Sequence, residues 1–266
     1  MPAFNPQGAH GVVRINSPLP SLQPTVTVVR VPAGTADHTQ FANMTTAMGL
    51  PAGALGDQTK NLTLSFTWTN SEGYVWSYLA EKSRIAFSNP LYALTGTSTP
   101  VNEERTVDAA RDFAVAHGFR ESDYRNFVMA SSSVEFPTLS SVTAERVVDE
   151  RNIVDKDGRP EQGAVLYVNK SGIVSSGWMS LAQEPQRSDY PAITADEMRQ
   201  RMEQGGLAGP PSGSVDIAKT FFAFVRLPRQ SGNDAEFLAP ALVGEGVEQL
   251  VQGGTRPYRI VVPLVK

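Results

Sequence analysis

Three segments of the chain share one pattern, and that pattern constrains the fold more than any other feature. They are TADHTQFANMTTAMGL at 35–50, TVDAARDFAVAHGF at 106–119 and TADEMRQRMEQGGL at 194–207. Each begins Thr-x-Asp and ends with glycine and a large apolar residue. Threonine caps helix N-termini, aspartate near the N-terminus complements the helix dipole, and glycine ends helices. Each segment is therefore predicted to form a short helix.

Apolar residues recur within these segments at the spacing of an amphipathic helix. Phe41, Met44 and Met48 form one such stripe in the first segment. In the third segment Thr194 and Glu197 form a Ser/Thr-x-x-Glu capping box, in which each side chain bonds the other residue's backbone N–H. The aspartates are interpreted as helix-dipole partners rather than catalytic acids: Asp37, Asp108 and Asp196.

Strand-like segments follow each predicted helix. NLTLSFTW and YVWSYL, joined by TNSEG, are predicted to form a hairpin, with SRIAFS beside it. After the second helix come SSVTAERVVDERNIV, predicted as one long strand, then GAVLYVN and IVSSGWMSLA. AKTFFAFVRL, EFLAPALVG and RPYRIVVPLV follow the third. We therefore predict an α+β fold of antiparallel sheets, each covered by a short amphipathic helix, with the helix-plus-strands unit repeated about three times.

The same patterns divide the chain into an arm and two lobes. Residues 1–24 are rich in proline and lack periodicity, which predicts an extended N-terminal arm. Residues 25–95 form the first predicted helix-on-sheet lobe, beginning with the alternating strand TVTVVRV. Residues 96–266 form the second lobe with two further units, and the boundary is placed in the turn-rich stretch 90–102.

Composition excludes several classes of protein. The chain has 23 Lys plus Arg against 27 Asp plus Glu and no run of like charge, so it has no electrostatic footprint for nucleic acid. Cysteine is absent, which excludes disulfides, thiolate catalysis and cysteine-held metal sites. The N-terminal residues show no basic segment followed by an apolar stretch, so neither a signal peptide nor a membrane helix is expected in this chain.

No catalytic motif stands out in the sequence. The histidines do not pair with each other or with carboxylates at metal-ligand spacing: His10, His38 and His117. Nucleophile elbows, Ser-x-x-Lys and phosphate-binding loops are missing. We predict no catalytic residue, no metal and no cofactor. Carboxylates that meet only in space stay an open alternative, because sequence does not reveal such pairs.

Aromatic residues provide the one candidate binding surface. Trp68, Tyr74, Trp76 and Tyr78 lie in the first predicted hairpin. Two interpretations stay open: the rings are core beneath the helices, or one face of the hairpin is exposed and binds a partner. An exposed edge strand would serve equally well by adding a strand from a partner.

The order of segments resembles the PepSY-like extracytoplasmic regulatory proteins of bacteria, including YycH/YycI-like regulators associated with membrane sensor kinases. The resemblance lies in TVDAARDFAVAHGF, in GAVLYVNKSGIVSSGW, and in ITADEMRQRMEQGG with the strands after it. It spans about residues 25–266. It implies a non-enzymatic domain at the bacterial cell envelope, tethered to the membrane through an N-terminal anchor that is not expected within this chain.

The functional prediction is therefore an interaction or regulatory module that binds a protein or peptide partner, of the sensor kinase or peptidase type. Two alternatives are carried: a hydrolase with spatially assembled carboxylates, and a structural surface protein without catalysis. An extracytoplasmic location follows from the resemblance, while a cytoplasmic one stays open.

Overall fold

The computed structural model describes residues 11–31, 38–50, 65–94, 102–130, 139–181, 185–227 and 236–266. The strands in these ranges are β1 Val13–Ile15, β2 Thr25–Val31, β3 Phe66–Thr69, β4 Val75–Leu79, β5 Arg84–Ser88, β6 Tyr124–Ala130, β7 Leu139–Val148, β8 Arg151–Val154, β9 Gln162–Asn169, β10 Val174–Ser180, β11 Gln186–Pro191, β12 Ser214–Arg226, β13 Glu236–Gln249 and β14 Thr255–Pro263. The α-helices are α1 His38–Ala47, α2 Pro90–Leu94, α3 Glu103–Ala116 and α4 Ala195–Glu203.

All of these strands belong to one 14-stranded sheet. Its main path runs β11-β2-β13-β12-β8-β7-β9-β10-β5-β4-β3, while β1 pairs with β12, β14 with β13 and β6 with β7. Most pairs are antiparallel, but β12 pairs in parallel with both β1 and β8. The sheet is therefore mixed, and β11 and β3 are its two end strands.

A hairpin between β7 and β8 joins two halves of this sheet. We call β3–β7, β9 and β10 the aromatic half, and β1, β2, β8 and β11–β14 the aliphatic half. The turn residues Asp149 and Glu150 have φ of 47° and 60°, the left-handed values that a tight two-residue hairpin requires. The sequence predicted one continuous strand here and was wrong, because the turn carries no glycine and β-prone residues flank it on both sides.

The aromatic half has a core made from the first hairpin and two helices. Phe41, Met44 and Met48 of α1 pack in one cluster with Ala110 and Ala114 of α3 and with the rings of β3, β4 and β5. Both helices therefore cover the same core.

The aliphatic half has smaller cores made mainly of aliphatic side chains and methionine, with Phe224 as a buried aromatic member of one of them. Met198 and Met202 of α4 are fully buried in the largest of them, against Ile217, Ile260 and Val262. No aromatic side chain is among the buried members of that cluster, although Tyr258 packs against its border. The two halves are thus built from different side chains.

A buried carboxylate fixes one end of the aliphatic half. Glu248 has no exposed surface. One oxygen of its carboxylate accepts hydrogen bonds from Ser212 N (2.9 Å), Ser212 Oγ (2.8 Å) and Gly213 N (2.9 Å), and the other from Arg256 Nε at 2.6 Å. A buried charge is tolerated when its lone pairs are used in this way. Glu248 therefore ties the segment before β12 to β13 and β14.

Ion pairs also cross the junction of the two halves. Glu161, which precedes β9, accepts a hydrogen bond at 2.6 Å from Arg226 of β12 and lies 3.5 Å from Arg146 of β7. Arg226 also pairs with Glu236 of β13. These side chains are partly buried, so solvent screens them less than exposed pairs.

The repeated helix-plus-strands unit predicted from the sequence is wrong. The structure is one large, mostly β sheet with few helices rather than separate antiparallel sheets with one helix each. Two of the three Thr-x-Asp helices share a core, and their strands continue into one another through the sheet. The repeated pattern reflects local helix-forming residues, whereas strand pairing is decided by contacts between residues far apart in the sequence.

The helix-start prediction is confirmed at Thr194 but not at Thr106. Thr194 caps α4 in a complete capping box with Glu197. In α3 the cap is Asn102, which accepts a hydrogen bond from Glu104 N at 2.9 Å. Thr106 lies inside the helix and bonds the Asn102 carbonyl. Thr35 and Asp37 of the first segment lie outside the described residues.

The described parts of the predicted arm and first lobe pair with distant strands. Residues 13–15 of the arm form β1 beside β12. The strand TVTVVRV forms as predicted, as β2, but pairs with β11 and β13 of the aliphatic half. Leu62 and Leu64 of the predicted first hairpin lie outside the described residues. None of the helices in the described ranges combines the length and apolar character needed to span a bilayer.

Candidate binding site at the open end of the sheet

The predicted aromatic surface lies inside the protein. Relative exposures are 9% for Trp68, 3% for Tyr74, 0% for Trp76 and 1% for Tyr78. Their faces of β3 and β4 are covered by α1 and α3. The hairpin itself is confirmed, with Trp68 paired to Trp76 and Phe66 to Tyr78. These four residues belong to the core, so they do not present an exposed binding face.

Hydrogen bonds and ring contacts hold these aromatics in place. Tyr74 donates its hydroxyl hydrogen to the Val174 carbonyl at 2.6 Å, and the Trp68 indole donates to Met48 O at 3.3 Å. The Trp68 and Trp76 rings stack with centroids 6.2 Å apart. Burial raises the pKa of Tyr78 to about 12. These groups keep their protons at neutral pH and act in packing.

His117 also has a structural position. Its Nδ1 lies 2.7 Å from the Phe113 carbonyl, and its ring centroid is 4.1 Å from that of Phe113 and 5.1 Å from that of Trp76. His10 and His38 lack a described side chain. Within the described ranges no cluster of three or more His, Cys, Asp or Glu is placed to hold a metal ion.

The end strand β11 is the most exposed strand of the sheet. All six of its residues, Gln186 to Pro191, are exposed. It pairs antiparallel with β2 along its whole length. The Thr27 hydroxyl donates to the Asp189 carboxylate at 2.7 Å, and Arg30 donates to the Gln186 side chain at 2.8 Å. Polar cross-strand bonds of this kind hold β11 in register without an apolar face.

The outer edge of β11 includes backbone groups that no described residue bonds. Ala192 N donates to Pro24 O, on the side of β2. Because alternate residues of an antiparallel strand bond the same neighbour, residues 186, 188 and 190 face β2, and Arg187, Asp189 and Pro191 face outward. The Pro191 carbonyl accepts from Lys266 N at 3.2 Å on that outer side. No other described strand pairs with this edge at Arg187 and Asp189.

An ion pair joins this edge to the β7–β8 turn. Arg187 binds Asp149 through two nitrogens, with distances of 2.7 Å from Nη2 and 3.2 Å from Nε. These hydrogen bonds and the charge of Asp149 raise the pKa of Arg187. Two-point guanidinium–carboxylate pairing fixes direction as well as distance. It positions the β11 edge relative to the junction of the two halves.

Two hollows open on either side of that ion pair, and Arg187 and Asp149 line both. One hollow, of about 400 Å³, is charged; its charged lining residues are Arg120, Asp123, Arg146, Asp149, Glu150 and Arg187. The other, of about 430 Å³, has an apolar floor that includes Phe222, Phe224, Pro240 and Leu264. Phe222 is 37% exposed, and Arg151 lies 5.7 Å from its ring centroid. Charged side chains of a ligand would therefore fit the first hollow and apolar side chains the second, along the same edge of the sheet.

Two of the three carboxylates that line the charged hollow, Asp123 and Asp149, pair with arginines. Arg120 Nε lies 3.1 Å from Asp123, and Asp149 is held by Arg187. Ion-paired carboxylates and guanidinium groups of this kind present charges in fixed directions.

Sequence reasoning did not find this site. QRSDYP lacks the β-branched and apolar alternation that predicts strands. Nothing in the sequence placed Arg187 beside Asp149, which lies 38 residues away along the chain. One sequence feature could have indicated β11: Arg187 and Asp189 stand two residues apart, a spacing that favours one face of an exposed strand over one face of a helix.

Comparisons with known proteins add no function. No family model matches the sequence, and no curated protein matches it. The solved structure of an uncharacterized protein from Eubacterium rectale ATCC 33656 is similar over 97% of this chain and 90% of that chain, at 8% identity and a TM-score of 0.43. A likeness this distant adds nothing to what the site itself indicates.

Proposed function

We propose that this protein is a non-enzymatic interaction module that binds an extended segment of a protein partner along the outer edge of β11. The observation that carries the proposal is the pair of residues Arg187 and Asp189, whose backbone groups face outward on an exposed end strand. Adding a strand to such an edge gives affinity through backbone hydrogen bonds and specificity through side-chain neighbours.

Neighbouring side chains define the chemistry of the partner. A carboxylate opposite Arg187 and a cation opposite Asp189 would make favourable cross-strand pairs. Apolar side chains of the same segment would reach the hollow over Phe222 and Phe224. The partner segment is therefore extended, carries charges of opposite sign two residues apart, and has an apolar flank.

Placement of the module at the bacterial cell envelope, with a sensor kinase or peptidase as partner, is part of the proposal and is supported by the family resemblance alone. Cell fractionation of the natural host tests it directly. Recovery of the protein in the cytoplasmic fraction would contradict the proposed location, but it would not affect the proposal of strand addition at β11.

Strand addition is tested with two variants at one position. Asp189→Pro removes the outward N–H without removing a hydrogen bond to β2, and Asp189→Ala keeps that N–H. Dodecapeptides selected by phage display on the purified protein are synthesised, and their Kd is measured for each variant. We expect Asp189→Pro to weaken binding at least about tenfold and Asp189→Ala to weaken it only about twofold.

Thermal unfolding of both variants checks that the fold is retained. Peptides that bind both variants equally well, or that perturb NMR signals far from β11, would contradict the proposal. A competing hydrolase role would appear as cleavage of the selected peptides on incubation.

A further inference from the structure

We infer that the strand bound at the free edge is β11 of a second copy of this chain. The inference rests on the proposed use of that edge for strand addition and names the partner. Two identical strands that pair antiparallel are related by a twofold axis, which is the commonest symmetry of homo-oligomers.

The backbone limits this contact to a short stretch. Pro191 lacks an N–H and its carbonyl is taken by Lys266, while Pro185 also lacks an N–H. Only Arg187 and Asp189 therefore offer both an outward N–H and a carbonyl that no described residue occupies. In the register that places Ser188 opposite Ser188 of the second copy, Arg187 of each copy faces Asp189 of the other. Each of these two Arg187–Asp189 pairs then forms two backbone hydrogen bonds.

The charges select this register. Shifting the second strand by two residues in one direction places Arg187 opposite Arg187, and in the other places Asp189 opposite Asp189. Like charges directly opposite each other are destabilising. A shift by one residue places the outward N–H and carbonyl groups of one β11 opposite residues of the other copy whose backbone groups already bond β2. The order Arg-Ser-Asp is therefore self-complementary in one antiparallel register.

The same charges explain how an exposed edge avoids indiscriminate pairing. Natural edge strands carry charged residues and proline, which penalise strands of the wrong sequence. Here Arg187 and Asp189 penalise unmatched strands, and Pro191 ends the stretch that can pair. Because a twofold axis through Ser188 stands perpendicular to the sheet, the hollows of both copies would lie on one face of a continuous sheet.

Charge-reversal variants test the register. Wild-type protein is examined by sedimentation velocity over a concentration series, beside Asp189→Arg and Arg187→Asp. We expect a reversible dimer for the wild type and a Kd raised at least about tenfold for each variant alone. An equimolar mixture of the two variants should restore the dimer, because every facing pair is then of opposite charge.

Arg199→Asp is the matched control, since Arg199 is exposed on α4 and is not part of β11. It should dimerise like the wild type. Hydrogen exchange gives a second measurement on unmodified protein: the amides of Arg187 and Asp189 should gain protection as concentration rises.

A wild-type protein that stays monomeric at every concentration, or a dimer that survives both single reversals, overturns the inference. So does a mixture of the two variants that stays monomeric. The outcome is separable from the proposed function, because peptide binding by a monomeric protein would still depend on the N–H of residue 189.

Discussion

The two ends of the sheet are built differently. At one end β3 contributes Trp68 to a core of stacked rings under two helices, and that end is stabilised by burial. At the other end β11 buries none of its residues and is held by hydrogen bonds and one ion pair. Burial makes the aromatic half a stable scaffold, whereas the lack of burial leaves β11 free to pair. The comparison indicates that β11 contributes less to stability through burial than β3 does.

The largest effect is expected from the core of the aromatic half. Trp76 is fully buried, and its indole N–H has no hydrogen-bond partner among the described residues. Trp76→Ala should therefore lower the free energy of unfolding by about 3–5 kcal/mol, mainly through a large cavity. Urea denaturation followed by circular dichroism measures it.

Tyr190→Ala is the matched change at the open end, where the ring is 46% exposed. This change should lower the free energy of unfolding by less than about 0.5 kcal/mol. Similar losses for the two variants would break the comparison between the ends of the sheet.

The next largest loss of stability is expected at Glu248, the buried carboxylate of the aliphatic half. Glu248→Gln leaves Arg256 and the backbone donors around Ser212 with a neutral partner, so we expect a loss of about 2–3 kcal/mol at neutral pH. Glu203→Gln, on the exposed side of α4, should change stability by less than about 0.5 kcal/mol. Equilibrium unfolding of the two variants gives both values.

The same residue predicts a pH dependence. Burial alone would raise the pKa of Glu248, but hydrogen bonds from Gly213, Ser212 and Arg256 lower it by more, so its folded pKa lies below the usual 4.5. Its contribution to stability is therefore complete above that value and is lost as pH falls through the folded pKa. Wild type should lose its advantage over Glu248→Gln in acid. A gap that stays constant down to strongly acidic pH would contradict this assignment.

The smallest effect is expected at the ion pair beside the open edge. Both side chains of Arg187 and Asp149 are almost half exposed. A double-mutant cycle is made with Arg187→Gln and Asp149→Asn, since asparagine tolerates the left-handed conformation of residue 149. The cycle should give a coupling free energy of about 0.5 kcal/mol, which falls in 1 M salt. A coupling above about 2 kcal/mol would mean that β11 is held as firmly as the core, against the comparison drawn above.

Much of the local structure was predictable from sequence. The amphipathic stripes of α1 and α4, the Thr194–Glu197 capping box and the first hairpin all form as predicted. Each depends on residues close together in the chain. The predicted repeat was wrong because similar helix ends do not determine which strands pair. The turn at Asp149 was missed because it carries no glycine and β-prone residues flank it on both sides.

The sequence by itself determined the capped start of α4, the apolar faces of α1 and α4, which strands are apolar, and that disulfide and thiol chemistry are excluded. It left open whether the aromatic hairpin was core or surface, since the periodicity is the same for both. Only the tertiary structure decided that two helices cover those rings, that β2 crosses to pair with β11 and β13, and that Arg187 meets Asp149 from 38 residues away. The physical reason is that burial and strand pairing are properties of contacts between distant segments, whereas sequence patterns report on neighbours along the chain.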